Sequence, residues 1–148
     1  MKMRFNILMG FVMPWFFGII LFKKQKKLLR IVPFVCVIST LVCIWGDYYK
    51  FWIVKPKIKR KQYLTTMPYN LGLYPILSVV MVNRINKTKQ GLLLVFIFTL
   101  FTTIAEYGMV LLKKVTYKNG WNILKTYISY LIPYYLVYRY YLWTHSDK

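Results

Sequence analysis

Apolar segments alternate with short basic segments along this chain of 148 residues. The apolar segments cover residues 5–22, 31–46, 67–82, 91–112 and 122–143. The fourth has no proline and a single charged residue, Glu106. At about 1.5 Å of rise per residue, a helix over this segment reaches roughly 33 Å, which matches the roughly 30 Å hydrocarbon thickness of a bilayer. The pattern predicts an all-α, polytopic transmembrane helical bundle of about five spans, formed by a single membrane domain over residues 1–148.

The first apolar segment is predicted to be an uncleaved span. A basic start before an apolar run is also typical of a signal peptide, but no small-x-small cleavage motif follows, and Lys23 and Lys24 end the run. Gly10, Pro14 and Gly18 recur every four residues. This spacing is typical of a notch that another helix approaches closely, and equally of residues that bend a helix.

The second and third segments leave the number of crossings open. The second is short and has Pro33 near its start, and the third is interrupted by Pro68, Gly72 and Pro75. Broken segments are typical of re-entrant structure where protein or a water-filled cavity covers the freed backbone groups. Five crossings give no excess of Lys and Arg on the inner side, whereas a re-entrant second segment gives the excess that the positive-inside rule favours. We predict five crossings and keep four as the alternative.

Composition favours a membrane protein over a soluble domain. Apolar residues make up 58% of the chain, against roughly 45–50% in soluble domains. Lys and Arg number 22 against 3 acidic residues, a net charge of +19, which in a soluble protein would indicate nucleic-acid binding. Here the positive charges lie between apolar segments, where they favour contact with anionic lipid headgroups. We therefore predict a multi-pass protein of the cell membrane that contacts the bilayer and binds no nucleic acid.

Residues 47–66 are predicted to lie in the membrane interface. Aromatic residues come first in this segment and a basic cluster follows, an order that puts rings at headgroup depth and charges against lipid phosphates. Interleaved aromatic and basic residues also bind single-stranded nucleic acid, but this segment is tethered between two spans. The predicted headgroup contacts are Lys55, Lys57, Lys59, Arg60 and Lys61.

An acidic side chain inside an apolar span is costly, which makes Glu106 a candidate functional residue. Threonine hydroxyls lie on the same helical face one turn away, although such hydroxyls also bond to carbonyls of their own helix. Antiparallel pairing with the fifth segment brings Glu106 level with Ser129 and Tyr130, and Asp47 ends a weakly polar stripe of the second segment. The predicted polar intramembrane cluster is Glu106, Thr102, Thr103, Ser129, Tyr130 and Asp47.

The sequence contains no pattern typical of a catalytic or metal site. The only histidine, His145, lies in the C-terminal tail, and neither an activated nucleophile nor a metal-ligand spacing is present. Cys36 and Cys43 stack about 10 Å apart on one helical face, beyond the reach of a disulfide. We predict no catalytic residue, no cofactor and no bound metal.

Short motifs spread over most of the chain carry a resemblance to other proteins. They are Pro14-Trp15, residues 23–33 (KKQKKLLRIVP), Asp47, residues 68–75 (PYNLGLYP), Glu106-Tyr107, Asn119-Gly120-Trp121 and residues 126–131 (TYISYL). In these motifs the chain resembles an uncharacterised family of small polytopic membrane proteins from spore-forming Gram-positive bacteria. The resemblance implies membrane location, and it implies no reaction, cofactor or partner.

Two functions fit these patterns, and an enzyme is a weaker third. The first is a non-enzymatic protein that packs against a membrane protein partner or a second copy of itself, through the Gly10/Pro14/Gly18 notch and a tyrosine stripe on the fifth segment. The stripe consists of Tyr127, Tyr130, Tyr134, Tyr138 and Tyr141. The second is a small proton- or cation-coupled transporter or pore subunit in which Glu106 binds the ion. We predict the first and keep the second as the alternative.

Overall fold

Every predicted apolar segment is helical in the computed structural model, which describes residues 3–24, 26–58 and 61–145. Helix α1 covers residues 3–24 and α2 covers residues 26–48. Helix α2 begins as a 3-10 turn over Lys26–Ile31. Helix α3 covers residues 69–88, α4 is Gly91–Leu111 and α5 is Ile123–His145. The predicted all-α bundle is confirmed. By length and composition, three of the helices in the described residues are apolar enough to cross a membrane: α1, α2 and α4.

Neither the second nor the third segment folds back on itself in the described residues. Helix α2 runs without a break from Lys26 to Tyr48, and α3 runs from a π turn over Tyr69–Leu73 into an α-helix over Tyr74–Thr88. The prolines that looked disruptive, Pro33 and Pro75, lie at the start of the α-helical parts. A missing N–H costs little there, because the first amides of a helix have no intrahelical acceptor.

Helix α3 continues beyond the third apolar segment as far as Thr88. Asn83 and Ile85 are buried on the inner face of α3, so core packing carries the helix past Arg84. Arg84 and Lys87 are exposed, and positive charge in a last turn complements the helix dipole. Lys89 ends the helix with a φ of 61° in the left-handed region.

Part of the segment predicted to lie in the membrane interface forms a short strand. Strand β1, Trp52–Val54, pairs antiparallel with β2, Val115–Tyr117, so that Trp52 faces Tyr117 in the register. The ribbon joins the α2–α3 connection to the α4–α5 connection. The side-chain amide of Asn6 donates to the carbonyls of Lys55 at 2.9 Å and Thr65 at 3.1 Å. The start of α1 is thereby held at the same end of the bundle, which we call the ribbon end.

The glycine and proline residues of α1 form the predicted notch, which is confirmed. Gly10, Pro14 and Gly18 are all buried. The backbone of α1 at Gly10 lies against Gly72 of α3, and the side chain of Ile76 lies against Gly18. The notch is therefore occupied by α3 of the same chain.

A packed apolar core fills the opposite end of the bundle, which we call the core end. Its most deeply buried members are Leu28, Ile31, Val79, Met81, Val82, Val95 and Val137. By contrast, large apolar side chains are exposed along the outside of α1 and α4, among them Phe16 and Phe17 on α1 and Leu100, Phe101 and Ile104 on α4. A surface of this kind is unfavourable in water and suits a hydrocarbon solvent.

Candidate functional site: a carboxylate beside an apolar cavity

Glu106 lies on α4, near the ribbon end, and its carboxylate accepts two hydrogen bonds from tyrosines. The Tyr117 hydroxyl donates to Oε1 at 2.9 Å, and the Tyr130 hydroxyl donates to Oε2. Tyr130 belongs to α5, which packs against α4. The predicted pairing of Glu106 with Tyr130 is confirmed, whereas Tyr117 comes from strand β2.

Two chains of donors lead to this carboxylate. On one side, the hydroxyl oxygens of Tyr74 and Tyr130 are 2.8 Å apart, and because Tyr130 gives its proton to Glu106, Tyr74 is the donor. On the other side, the Trp121 indole donates to Thr126 at 2.8 Å, and Thr126 donates to the Tyr117 hydroxyl at 3.0 Å. An indole N–H can only donate, which fixes the direction of this second chain. Both chains therefore satisfy carboxylate lone pairs.

No basic side chain in the described part of the chain pairs with Glu106. Lys125, in the first turn of α5, donates to the Gly120 carbonyl at 2.7 Å. Lys114 places its Nζ 4.1 Å from the centroid of the Phe5 ring. An acidic group surrounded by neutral donors carries its charge without compensation when it is ionised.

A cavity of about 540 Å³ lies next to Glu106, between α2, α3, α4, α5 and the ribbon. Apolar side chains provide most of its wall. The polar side chains that line it are Ser39, Cys43, Thr66, Asn70, Ser78, Thr102, Glu106 and Ser129, together with the hydroxyls of Tyr69, Tyr74, Tyr130 and Tyr134. Val35 and Val137 line its inner limit, and the packed core lies beyond them. The cavity is thus a pocket that ends inside the bundle.

The cavity is partly open to the outer surface beside α4. Phe101 and Ala105 line the cavity and are also exposed. On the ribbon side, the rings of Trp52 and Trp121 line it and contact each other at a centroid distance of 4.9 Å. The opening therefore adjoins the apolar outer face of α4.

The predicted polar cluster is only partly assembled. Besides Glu106 and Tyr130, the cavity wall includes Ser129 and Thr102, whose Oγ1 lies 2.8 Å from the Tyr134 hydroxyl. Thr103 is buried but donates to the Thr99 carbonyl of its own helix at 2.8 Å.

Asp47 does not belong to the cluster. It is half-buried near the C-terminal end of α2, and no hydrogen bond or ion pair joins its carboxylate to another described residue. Helical spacing puts Asp47 on the same face of α2 as Cys43, which lines the cavity, but the last turn of the helix carries Asp47 beyond the cavity wall.

Sequence reasoning missed the second half of the donor network. Tyr117 lies between the fourth and fifth apolar segments, in the short strand β2, and Thr126 lies in the first turn of α5, so neither position by itself indicates a contact with Glu106. Burial, with a further contribution from the Glu106 carboxylate, raises the pKa of Tyr117. This tyrosine therefore stays a proton donor throughout the physiological pH range.

The remaining predicted residues lie away from the cavity. Lys55, Lys57 and Lys61 are exposed beside the ribbon, while Lys59 and Arg60 lie outside the described residues. The tyrosine stripe of α5 packs within the chain, with Tyr134 and Tyr141 buried. Across the residues that the structure describes, no group of three or more His, Cys, Asp or Glu side chains is arranged to hold a metal ion.

The fold and the site together define a class: a small bundle of helices, several long and apolar enough to cross a membrane, with a single acid beside an internal cavity. No protein-family model, curated protein or solved structure matches this chain. The resemblance to small membrane proteins of spore-forming bacteria therefore stays a prediction.

Proposed function

We propose that this chain is a multi-pass protein of the cell membrane in which Glu106 binds a proton or a monovalent cation inside the bilayer. The observation that carries the proposal is the state of the Glu106 carboxylate, which has two phenol donors, no basic partner among the described residues and an apolar cavity beside it. A negative charge kept in such surroundings attracts a positive one. This is the second of the two functions that the sequence predicts.

We propose five crossings, which put Glu106 inside the hydrocarbon layer. Basic residues lie at both ends of the bundle, such as Lys26 and Lys87 at the core end and Lys57 and Lys118 at the ribbon end. The exposed surface between these ends is apolar along α1 and α4. We propose that Lys55, Lys57, Lys59, Arg60 and Lys61 contact anionic headgroups at the ribbon end.

The closed inner limit of the cavity favours a carrier over an open pore. The packed core separates the cavity from the core end, so an ion bound at Glu106 has no continuous polar path across the bundle. Protonation of Glu106 removes the charge that holds a cation, and a carrier that exchanges the two needs only this one acid. Neither surface predicted for packing with a partner or a second copy is available for it. Helix α3 occupies the notch, and the tyrosine stripe packs within the chain.

A membrane-soluble carbodiimide tests this proposal, because it reacts with protonated carboxyl groups that are reached from the lipid. We expect dicyclohexylcarbodiimide to modify the full chain in phosphatidylcholine vesicles at Glu106, and to do so faster as the pH falls. The chain has only two other acids, Asp47 and Asp147. Mass spectrometry of the labelled protein identifies the modified position.

Matched variants separate Glu106 from the other acids. Glu106→Gln should abolish the modification and Asp47→Asn should leave it unchanged. The titratable groups of the described chain that contact Glu106 are the Tyr117 and Tyr130 phenols, and mass spectrometry distinguishes a modification there from one at Glu106. Labelling that is absent at Glu106, or that does not change with pH, contradicts the proposal.

A further inference from the structure

The cavity beside Glu106 is much larger than a proton or an inorganic ion requires. We infer that it binds a lipophilic organic cation, a molecule with one positive charge on an apolar or aromatic body. This inference rests on the proposed function of Glu106 as a cation site, and it names the class of ligand. The cavity volume of about 540 Å³ falls within the roughly 300–1,000 Å³ of typical small-molecule pockets.

The charge of the site matches a monovalent ligand. Glu106 is the single acidic side chain in the cavity wall, and a single carboxylate balances a single positive charge. Its two oxygens already accept hydrogen bonds from Tyr117 and Tyr130. A ligand therefore contributes chiefly charge, and a quaternary centre without N–H donors meets this requirement as well as an amine does.

Aromatic rings in the cavity wall favour the same class of ligand. Trp52 and Trp121 lie on the ribbon side, and Tyr74 and Tyr130 lie next to the carboxylate. The faces of aromatic rings attract organic cations through cation–π interaction, and this attraction is strongest at sites without water. The rest of the wall is aliphatic, so an apolar body finds a matching surface.

The lateral opening indicates the route by which the ligand enters. Phe101 and Ala105 form the exposed edge of the cavity, and the neighbouring outer face of α4 is apolar. In a five-crossing arrangement this edge faces hydrocarbon. A strongly hydrated inorganic ion does not enter from hydrocarbon, whereas a lipophilic cation partitions there.

Equilibrium dialysis of the full chain in detergent with radiolabelled tetraphenylphosphonium tests the inference. We expect saturable binding of one cation per chain. Glu106→Gln should weaken the affinity for the cation by about 30-fold or more. This factor corresponds to the smallest loss usually seen when one partner of a buried charge pair is removed. Uncharged triphenylphosphine should compete poorly.

Cavity-filling variants separate the pocket from the charge. Ala105→Trp and Val42→Trp place an indole in the cavity wall and should abolish binding, whereas Ile104→Trp, on the exposed outer face of α4, should bind like the original chain. Each variant is first checked for its melting temperature, and either filling variant that stays folded suffices.

Three results overturn the inference. Binding that is lost in Glu106→Gln but kept in a folded cavity-filling variant shows a cation site outside the cavity, and it leaves the proposed role of Glu106 intact. Triphenylphosphine binding as tight as the cation, or cation binding that does not depend on Glu106, removes charge recognition. Failure of the carbodiimide reaction at Glu106, in contrast, defeats the proposed function itself.

Discussion

Gly72→Leu is expected to destabilise the bundle by about 3 kcal/mol, the upper end of the usual cost of overpacking. A side chain at this position meets the Gly10 carbonyl and the Phe11 Cα, both of them backbone atoms of α1. Backbone cannot move aside as the end of a flexible side chain can, so α1 and α3 must separate. Thermal unfolding of the detergent-solubilised protein measures the effect, at about 2–4 °C per kcal/mol for a chain of this size.

Gly108→Leu is the matched control for this prediction. Gly108 also lies inside a helix, but a side chain added there meets no atom within 4 Å. Because glycine costs a helix interior roughly 0.5–1 kcal/mol relative to alanine, this control should be neutral or slightly stabilising. An equal loss of stability in both variants would mean that α1 and α3 do not approach each other as closely as described.

Tyr130→Phe is expected to cost about 1.5–3 kcal/mol, the range for a hydrogen bond to a charged group. Its hydroxyl joins Glu106 of α4 to Tyr74 of α3, so its loss disconnects three helices. Tyr135→Phe serves as the control, since the Tyr135 hydroxyl has no hydrogen-bond partner in the described chain and the ring is 42% exposed. Thermal unfolding of both variants gives the comparison.

A double-mutant cycle assigns the effect of Tyr130 to the carboxylate. In a Glu106→Leu background the same Tyr130→Phe change should cost less, by a coupling free energy of about 0.5–3 kcal/mol. If Tyr130→Phe lowers the free energy of unfolding equally in both backgrounds, the hydroxyl of Tyr130 does not act through Glu106.

Long apolar runs and regular spacings made the helices of this fold predictable. The fourth segment specifies α4 by length alone, and the four-residue spacing of Gly10, Pro14 and Gly18 specifies where another helix packs. The pairing of Glu106 with Tyr130 follows from the antiparallel arrangement of consecutive helices, in which positions on either side of a short connection lie at equal depth.

Contacts between distant segments account for what the sequence did not reveal. Strands β1 and β2 have three residues each, too few for an alternating pattern to stand out. Val54 pairs with Val115, which lies far away along the chain, so only the tertiary fold brings the two strands together. Tyr117 reaches Glu106 because of that ribbon. The predicted position of Asp47 in the polar cluster is wrong for a different reason. Helical spacing specifies the face of α2 on which Asp47 lies, but it does not specify how far the cavity extends along that face.

The central claim is that the helices cross the bilayer so that the ribbon end and the core end lie on opposite sides, with Glu106 between them. Single cysteines in a Cys36→Ser, Cys43→Ser background test it through reaction with a membrane-impermeant maleimide in sealed vesicles. The positions are Lys57→Cys and Lys118→Cys at the ribbon end, Lys26→Cys and Lys87→Cys at the core end, and Ile104→Cys on the apolar face.

The account predicts that positions 57 and 118 react from one side of the membrane, that positions 26 and 87 react from the other, and that position 104 reacts from neither. Positions 26 and 57 reacting from the same side would contradict the five-crossing arrangement. Rapid reaction at position 104 would show that water, and not lipid, surrounds α4, which contradicts the account as a whole.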